Sequence, residues 1–233
     1  MNSRIPRNPN PGEFHKTDFK ESPLVEIHSN ARFEAGLEYT KLGMNHATDK
    51  CLVRKEVYDK LILAHSFLPE GYRFYIYDAW RPFLLQEELY RDYSEKVIHQ
   101  FHLENAPEVE QLKMIAAFVS VPRKDSDYPP VHTTGGAVDL TILDAQGRFL
   151  DMGSGFDEIS ERSNTVYFEE HPEETNAQAI CENRRLLYNA MMKAGFTNLP
   201  SEWWHYDFGD RFWAYYTTKS AMYRGVFEKT DLN

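Results

Sequence analysis

The sequence predicts an α+β domain, and three observations lead there. Segments with a helical period and segments rich in β-branched and aromatic residues are interspersed along the chain, no regular βαβ repeat links them, and no glycine-rich dinucleotide or phosphate loop is present. A chain of 233 residues, 42% hydrophobic and 14% aromatic, is large enough to bury one substantial core. One domain is therefore expected over residues 24–233, preceded by an extended N-terminal arm over residues 1–23. The arm carries Pro6, Pro9, Pro11 and Pro23, whose fixed φ and missing donors disfavour a regular element.

After the arm, residues 25–37 hold no single period and predict no element. Between Asp49 and Leu68 the apolar residues Leu52, Val53, Val57, Leu61, Ile62, Ala64 and Leu68 recur at three- and four-residue steps, which predicts a helix with Asp49 as N-cap. Pro69-Glu70-Gly71 ends it, and Tyr72 to Tyr77 has the composition of a strand. A helix from Phe83 to Tyr90, with Pro82 in its first turn, puts Arg81 at a strand-to-helix junction. A further helix is expected over 108–119. Ala137 to Leu143 alternates as a strand, and 176–194 has an apolar helical face ending at Gly195, a natural C′ residue. The aromatic segments around Trp203 and over 212–216 are expected to be strands.

Charge and cysteine usage narrow the function. Lys plus Arg number 26 against 36 for Asp plus Glu, a net charge of -10, so no basic field exists to hold nucleic acid. No apolar run approaches the roughly 20 residues that span a bilayer. The chain as written reads as soluble and cytoplasmic, or periplasmic had an export signal been removed. Cys51 and Cys181 are too few for a disulfide scaffold or a Cys-ligated metal site, and are expected as free thiols.

The chemistry-bearing residues lie in two distant stretches, Val131 to Ile142 and Glu202 to Tyr206. His132 and Asp139 flank Gly135-Gly136, a loop able to fold two side chains toward one point. His205 sits among aromatics, and with the other two would give zinc two imidazoles, one carboxylate and an open position for water. Glu202, three residues before His205, suits a general base beside the metal, and Arg81 could neutralise a developing oxyanion. Taken singly, each has an ordinary explanation: a satisfied core histidine, a turn-capping aspartate, a solvated glutamate, a paired arginine. Spacing alone leaves zinc and these explanations about level. His15, His28, His46, His65, His99, His102 and His171 have no comparable setting.

At these residues the sequence resembles the D-Ala-D-Ala dipeptidases of vancomycin-resistance type, zinc enzymes of a superfamily that also holds lysostaphin-like and hedgehog-like domains. Their pattern is Ser-x-His-x-x-Gly-x-Ala-x-Asp followed downstream by Glu-x-x-His. His132, Gly135, Ala137 and Asp139 match the first part, and Glu202 and His205 the second. Asp78-Ala79-Trp80-Arg81-Pro82, Cys51 to Val57 and Leu150 to Asp157 also agree, so the resemblance runs from about Tyr39 to Tyr206. It implies a central antiparallel sheet flanked by helices, hedgehog/D-Ala-D-Ala-peptidase-like. It further implies one zinc on His132, Asp139 and His205, Glu202 as catalytic base, Arg81 as transition-state stabiliser, and Asp157 with Tyr39 receiving the amino group of a small peptide substrate. One position departs: the family serine two residues before the first histidine is Pro130, which offers neither hydroxyl nor N–H. The expected activity is hydrolysis of D-Ala-D-Ala or a similar short D-amino-acid dipeptide. The alternatives are a peptidoglycan carboxypeptidase or endopeptidase of the same superfamily and a non-catalytic zinc-stabilised binding module.

Overall fold

The computed structural model describes residues 3–14 and 16–228. His15, residues 1 and 2 of the arm and residues 229–233 of the expected domain lie outside the described residues. In chain order the elements are β1 (Leu24–Glu26), β2 (Phe33–Ala35), α1 (Glu38–Lys41), β3 (Leu52–Arg54), α2 (Lys55–His65), β4 (Arg73–Asp78), α3 (Phe83–Gln100) and α4 (Glu108–Ile115). There follow β5 (Ala137–Leu143), α5 (Tyr167–Glu170), α6 (Ala177–Ala194), β6 (Thr197–Asn198), β7 (His205–Asp207) and α7 (Arg211–Thr217). No helix among the described residues is long and apolar enough to cross a membrane.

A five-stranded sheet, ordered β2-β4-β5-β7-β6, carries the fold. Its ladders are antiparallel except at one edge, where β2 pairs with β4 in parallel. The α+β class is as expected, and the sheet is mixed at that edge. Along β5 every residue is buried, and the pleat divides them between two faces. Val138, Leu140 and Ile142 join the main core with Val57, Leu61 and Ala64 of α2 and Leu187, Met191 and Ala194 of α6. Asp139 and Thr141 must then point to the opposite face. Strand alternation thus selects the face on which chemistry can occur.

Three elements differ from the sequence reading. Residues 52–54 form β3, antiparallel to β1, so the helix begins at Lys55 and its cap position is Arg54 rather than Asp49. Leu52 and Val53 fit a helical period with Val57, but pairing with a strand some 28 residues upstream, in a segment with no readable period, overrides it. The aromatic run over 211–217 is a helix, not a strand. Asp210 accepts from the Phe212 and Trp213 amides, and that N-cap outweighs aromatic β-propensity. The strand near Trp203 lies just beyond it, at 205–207. Elsewhere β4, β5 and α6 fall within a residue of expectation, and α3 runs ten residues further, to Gln100.

Before β1 the described chain is extended. It is tied across the molecule by the buried Ile5, by the Tyr216 hydroxyl donating to Pro9 O at 2.6 Å, and by a bridge between Thr17 and Ala221. Cys51 and Cys181 are both free and buried.

Candidate metal centre

One row of the sheet builds the centre. A register shift between Ile76 and Asp78 sets Asp78 opposite Asp139, and Asp139 is in turn opposite His205, so three neighbouring strands bring three polar side chains side by side. His132 arrives from outside the sheet, on a 3-10 turn over His132–Thr134 that runs into β5. Gly135 ends that turn at φ 72, and a Cβ there would lie 2.3 Å from Leu24 Cδ2. A Cβ on Gly136 would come within 2.8 Å of Phe208 O. Only glycine at both positions lets the turn fold this tightly against its neighbours.

The outer nitrogen of each histidine is committed. His132 Nδ1 lies 2.8 Å from Ala79 O and donates to it, while His205 Nε2 lies 2.9 Å from Asp207 Oδ1 and donates to that carboxylate. The inner nitrogens, His132 Nε2 and His205 Nδ1, lie 3.2 Å apart, at 3.3 and 2.9 Å from the two Asp139 oxygens. All three side chains are buried, and one ligand atom from each lies within 4.8 Å of the others. Two ring nitrogens packed this closely against a buried carboxylate need a cation among them, either a proton or a metal ion. Burial opposes charge on His205, yet Asp207 and Asp139 hold its pKa well above the ordinary range. Burial would raise the Asp139 carboxyl, but the two imidazoles override this and hold it far below the usual range. The donor set therefore fits a divalent cation bound by nitrogen and oxygen.

The other predicted residues line the same cavity, of about 60 Å³: Arg81, Glu202, Asp157 and Tyr39. Glu202 ends a turn closed by its amide to Leu199 O, and Asn198 Nδ2 donates to both Glu202 O and His205 O. Its carboxylate reaches to 3.8 Å from His205 Nδ1. Burial raises Glu202 to about 8; His205 opposes the rise, and the Asp139 and Asp157 charges add to it. Arg81 donates from Nε to Asp78 Oδ2 at 2.9 Å and from Nη1 to Gln86 Oε1 at 2.9 Å, while Nη2 lies 2.8 Å from Asp78 Oδ2, 3.4 Å from the Tyr39 hydroxyl and 3.7 Å from Asp139 Oδ2. Burial works against its charge, but Tyr39, Asp78, Asp139 and Asp157 around it prevail and hold it fully cationic. Across the cavity the Tyr39 hydroxyl donates to Asp157 Oδ2 at 2.6 Å. Burial is the chief cause that lifts Asp157 to about 6, eased by that bond. Pro130 forms part of the wall.

Sequence reasoning assigned no role to Asp78, Gln86 or Asp207, which hold Arg81 and His205 in place. Asp207 was within reach, because residues two apart on a strand share a face and His205-Tyr206-Asp207 reads that way once β7 is recognised. Behind it, Asp210 is pushed well above the carboxylate range by burial and by the Asp207 carboxylate. A carboxyl group held neutral there can donate to Asp207 and keep its other oxygen for His205.

Comparison with known proteins identifies the family of the chain. The family model described as D-ala-D-ala dipeptidase matches residues 26–223. A D-alanyl-D-alanine dipeptidase of Synechocystis is 30% identical over 167 residues, covering 67% of this chain and 68% of that protein. One of Escherichia coli is 31% identical over 160 residues, covering 68% of this chain and 67% of its own. Among solved structures, a mutant of the vancomycin resistance D,D-pentapeptidase VanY in complex with Zn(II) aligns over 81% of this chain and 88% of its own, with 14% identity and a TM-score of 0.40. The extent of the family match and the two long relatives establish that this chain is a metallopeptidase belonging to the D-Ala-D-Ala dipeptidase family.

Proposed function

We propose that the chain is a zinc dipeptidase that hydrolyses D-Ala-D-Ala or a similar short D-amino-acid dipeptide. The observation that carries this reading is the convergence of His132 Nε2, Asp139 and His205 Nδ1 with both outer imidazole nitrogens already bonded to acceptors. Zinc bound there would supply a Lewis acid and a water of lowered pKa. Glu202 takes the proton of the attacking water and passes it to the leaving nitrogen. A cation held by His132, Asp139 and His205 would lower the raised Glu202 pKa toward neutrality, the range in which one carboxylate can serve both steps. Arg81, fixed by Asp78 and Gln86, faces the carbonyl oxygen as it gains charge. Asp157, aligned by the Tyr39 hydroxyl, receives the substrate's ammonium.

Asp157 in the cavity wall, placed to take a free ammonium, supports a dipeptide over a longer peptidoglycan substrate, and Glu202 and Arg81 beside the ligands favour catalysis over a binding role. Pro130, where the family pattern has serine, offers the substrate no hydroxyl. Incubation of the zinc-loaded protein with D-Ala-D-Ala, L-Ala-L-Ala and a muropeptide ending in D-Ala-D-Ala tests the proposal. Release of D-Ala from the first alone is the expected result, and inertness toward all three with zinc bound overturns it.

A further inference from the structure

Beside the metal-centre cavity lies a second chamber of about 190 Å³, and the two share Tyr93, Phe118, Asp157 and Glu202 as walls. A water needs roughly 10–15 Å³ of such space, so the chamber has room for a side chain of many heavy atoms. Its apolar lining comes from Ala117, Phe118, Ile159 and Trp204. Its charge is one-sided: Asp157, Glu158, Glu161 and Glu202 line it, with no Lys, Arg or His among the described residues that do.

Ser160, Ser163, Asn164 and Ser201 add uncharged polar groups, and one further lining residue has a different origin. Asn10 lines the chamber, yet it precedes the family match, which begins at residue 26. The extended N-terminal segment carries Asn10 there, held by the Tyr216 bond to Pro9 O and by Ile5 in its buried seat. This chain thus adds to the chamber wall from a segment that precedes the matched residues.

We infer that this chamber is the subsite for the side chain of the substrate's amino-terminal residue, and that it selects dipeptides whose first side chain exceeds a methyl group and is basic rather than acidic. The inference rests on the dipeptidase reading. With the ammonium at Asp157 and the scissile carbonyl near the metal ligands, the first Cα lies between them, and the chamber opens along that same Asp157–Glu202 wall. The apolar residues cover the stem of a long side chain, and the carboxylates Glu158 and Glu161, both exposed, meet a cationic head near solvent. An acidic head would meet only like charge there.

Steady-state kcat/KM of the full zinc-loaded chain on D-Ala-D-Ala, D-Lys-D-Ala and D-Glu-D-Ala tests this. D-Lys-D-Ala is expected to match or exceed D-Ala-D-Ala, and D-Glu-D-Ala to fall about tenfold or more below D-Lys-D-Ala. Ile159→Trp, which fills the chamber, should lower the D-Lys to D-Ala efficiency ratio about tenfold, and Glu161→Lys should lower the D-Lys to D-Glu ratio. A D-Lys to D-Ala ratio below about one tenth in the native chain, or ratios unmoved by both variants, overturns the subsite. Should no dipeptide be cleaved, the dipeptidase reading fails instead. Calorimetric binding then decides the subsite by itself: D-Lys-D-Ala binding more tightly than D-Glu-D-Ala upholds it, and equal or reversed affinities overturn it.

Discussion

The two ends of the cavity are built differently. At the metal end, Asp139 and His205 face each other across paired strands, and each histidine is oriented by a second acceptor behind it. At the other end, Tyr39 comes from a four-residue helix and Asp157 from a loop at φ 58, and one hydrogen bond joins them. Sheet register fixes relative positions to a fraction of an ångström, because a slip of one residue would turn every side chain to the wrong face. Loops carry no such penalty. The metal end is therefore suited to unchanging chemistry and the loop end to a choice of substrate.

That contrast can be broken from either side. Glu202→Ala is expected to lower kcat about 100- to 10,000-fold with zinc content unchanged, measured by steady-state kinetics beside atomic absorption. Normal turnover in that variant would remove Glu202 from the base role. Asp207→Ala takes away the acceptor behind His205 Nε2 and should weaken zinc binding about 10- to 100-fold, read by competition with a chromophoric chelator. At the loop end the effects should appear in KM. Asp157→Asn removes a charge from the ammonium site and should raise KM about 10- to 100-fold, with kcat much less affected and zinc retained.

The pH profile sharpens the same contrast. Asp157 is raised to about 6, so it is neutral below that pH and charged above it. KM for a dipeptide should rise as pH falls through about 6, and Asp157→Asn should flatten this rise. A KM that rises equally in the variant would place the titration on another group. The smallest effect belongs to Tyr39→Phe, which removes one hydrogen bond to Asp157 and should raise KM about three- to tenfold with the metal undisturbed.

Legibility in the sequence follows the same division. His132, Asp139, Glu202 and His205 were candidates by residue type, the glycine pair between the first two offered a way for them to turn toward each other, and the match to a family pattern lifted them above the ordinary explanations that spacing alone left level. Asp78, Gln86 and Asp207 did not stand out, since a carboxylate or amide that positions another side chain has no spacing of its own. The misread elements share one cause. Leu52-Val53 and the run from Phe212 to Tyr216 carry local patterns suited to another element, and strand pairing in one case and the Asp210 cap in the other decided between them.

By itself the sequence determined the α+β class, the strand over 137–143 and the long helix before Gly195, because these follow from period and propensity within short windows. Only the tertiary structure decided that Asp78, Asp139 and His205 share one row of the sheet, that His132 Nε2 and His205 Nδ1 both face Asp139, and that Asn10 reaches a chamber beside Asp157. Those facts depend on register and on contacts between segments far apart in the chain. Local patterns do not encode which distant partner a residue will meet, and packing resolves that only when the whole core closes.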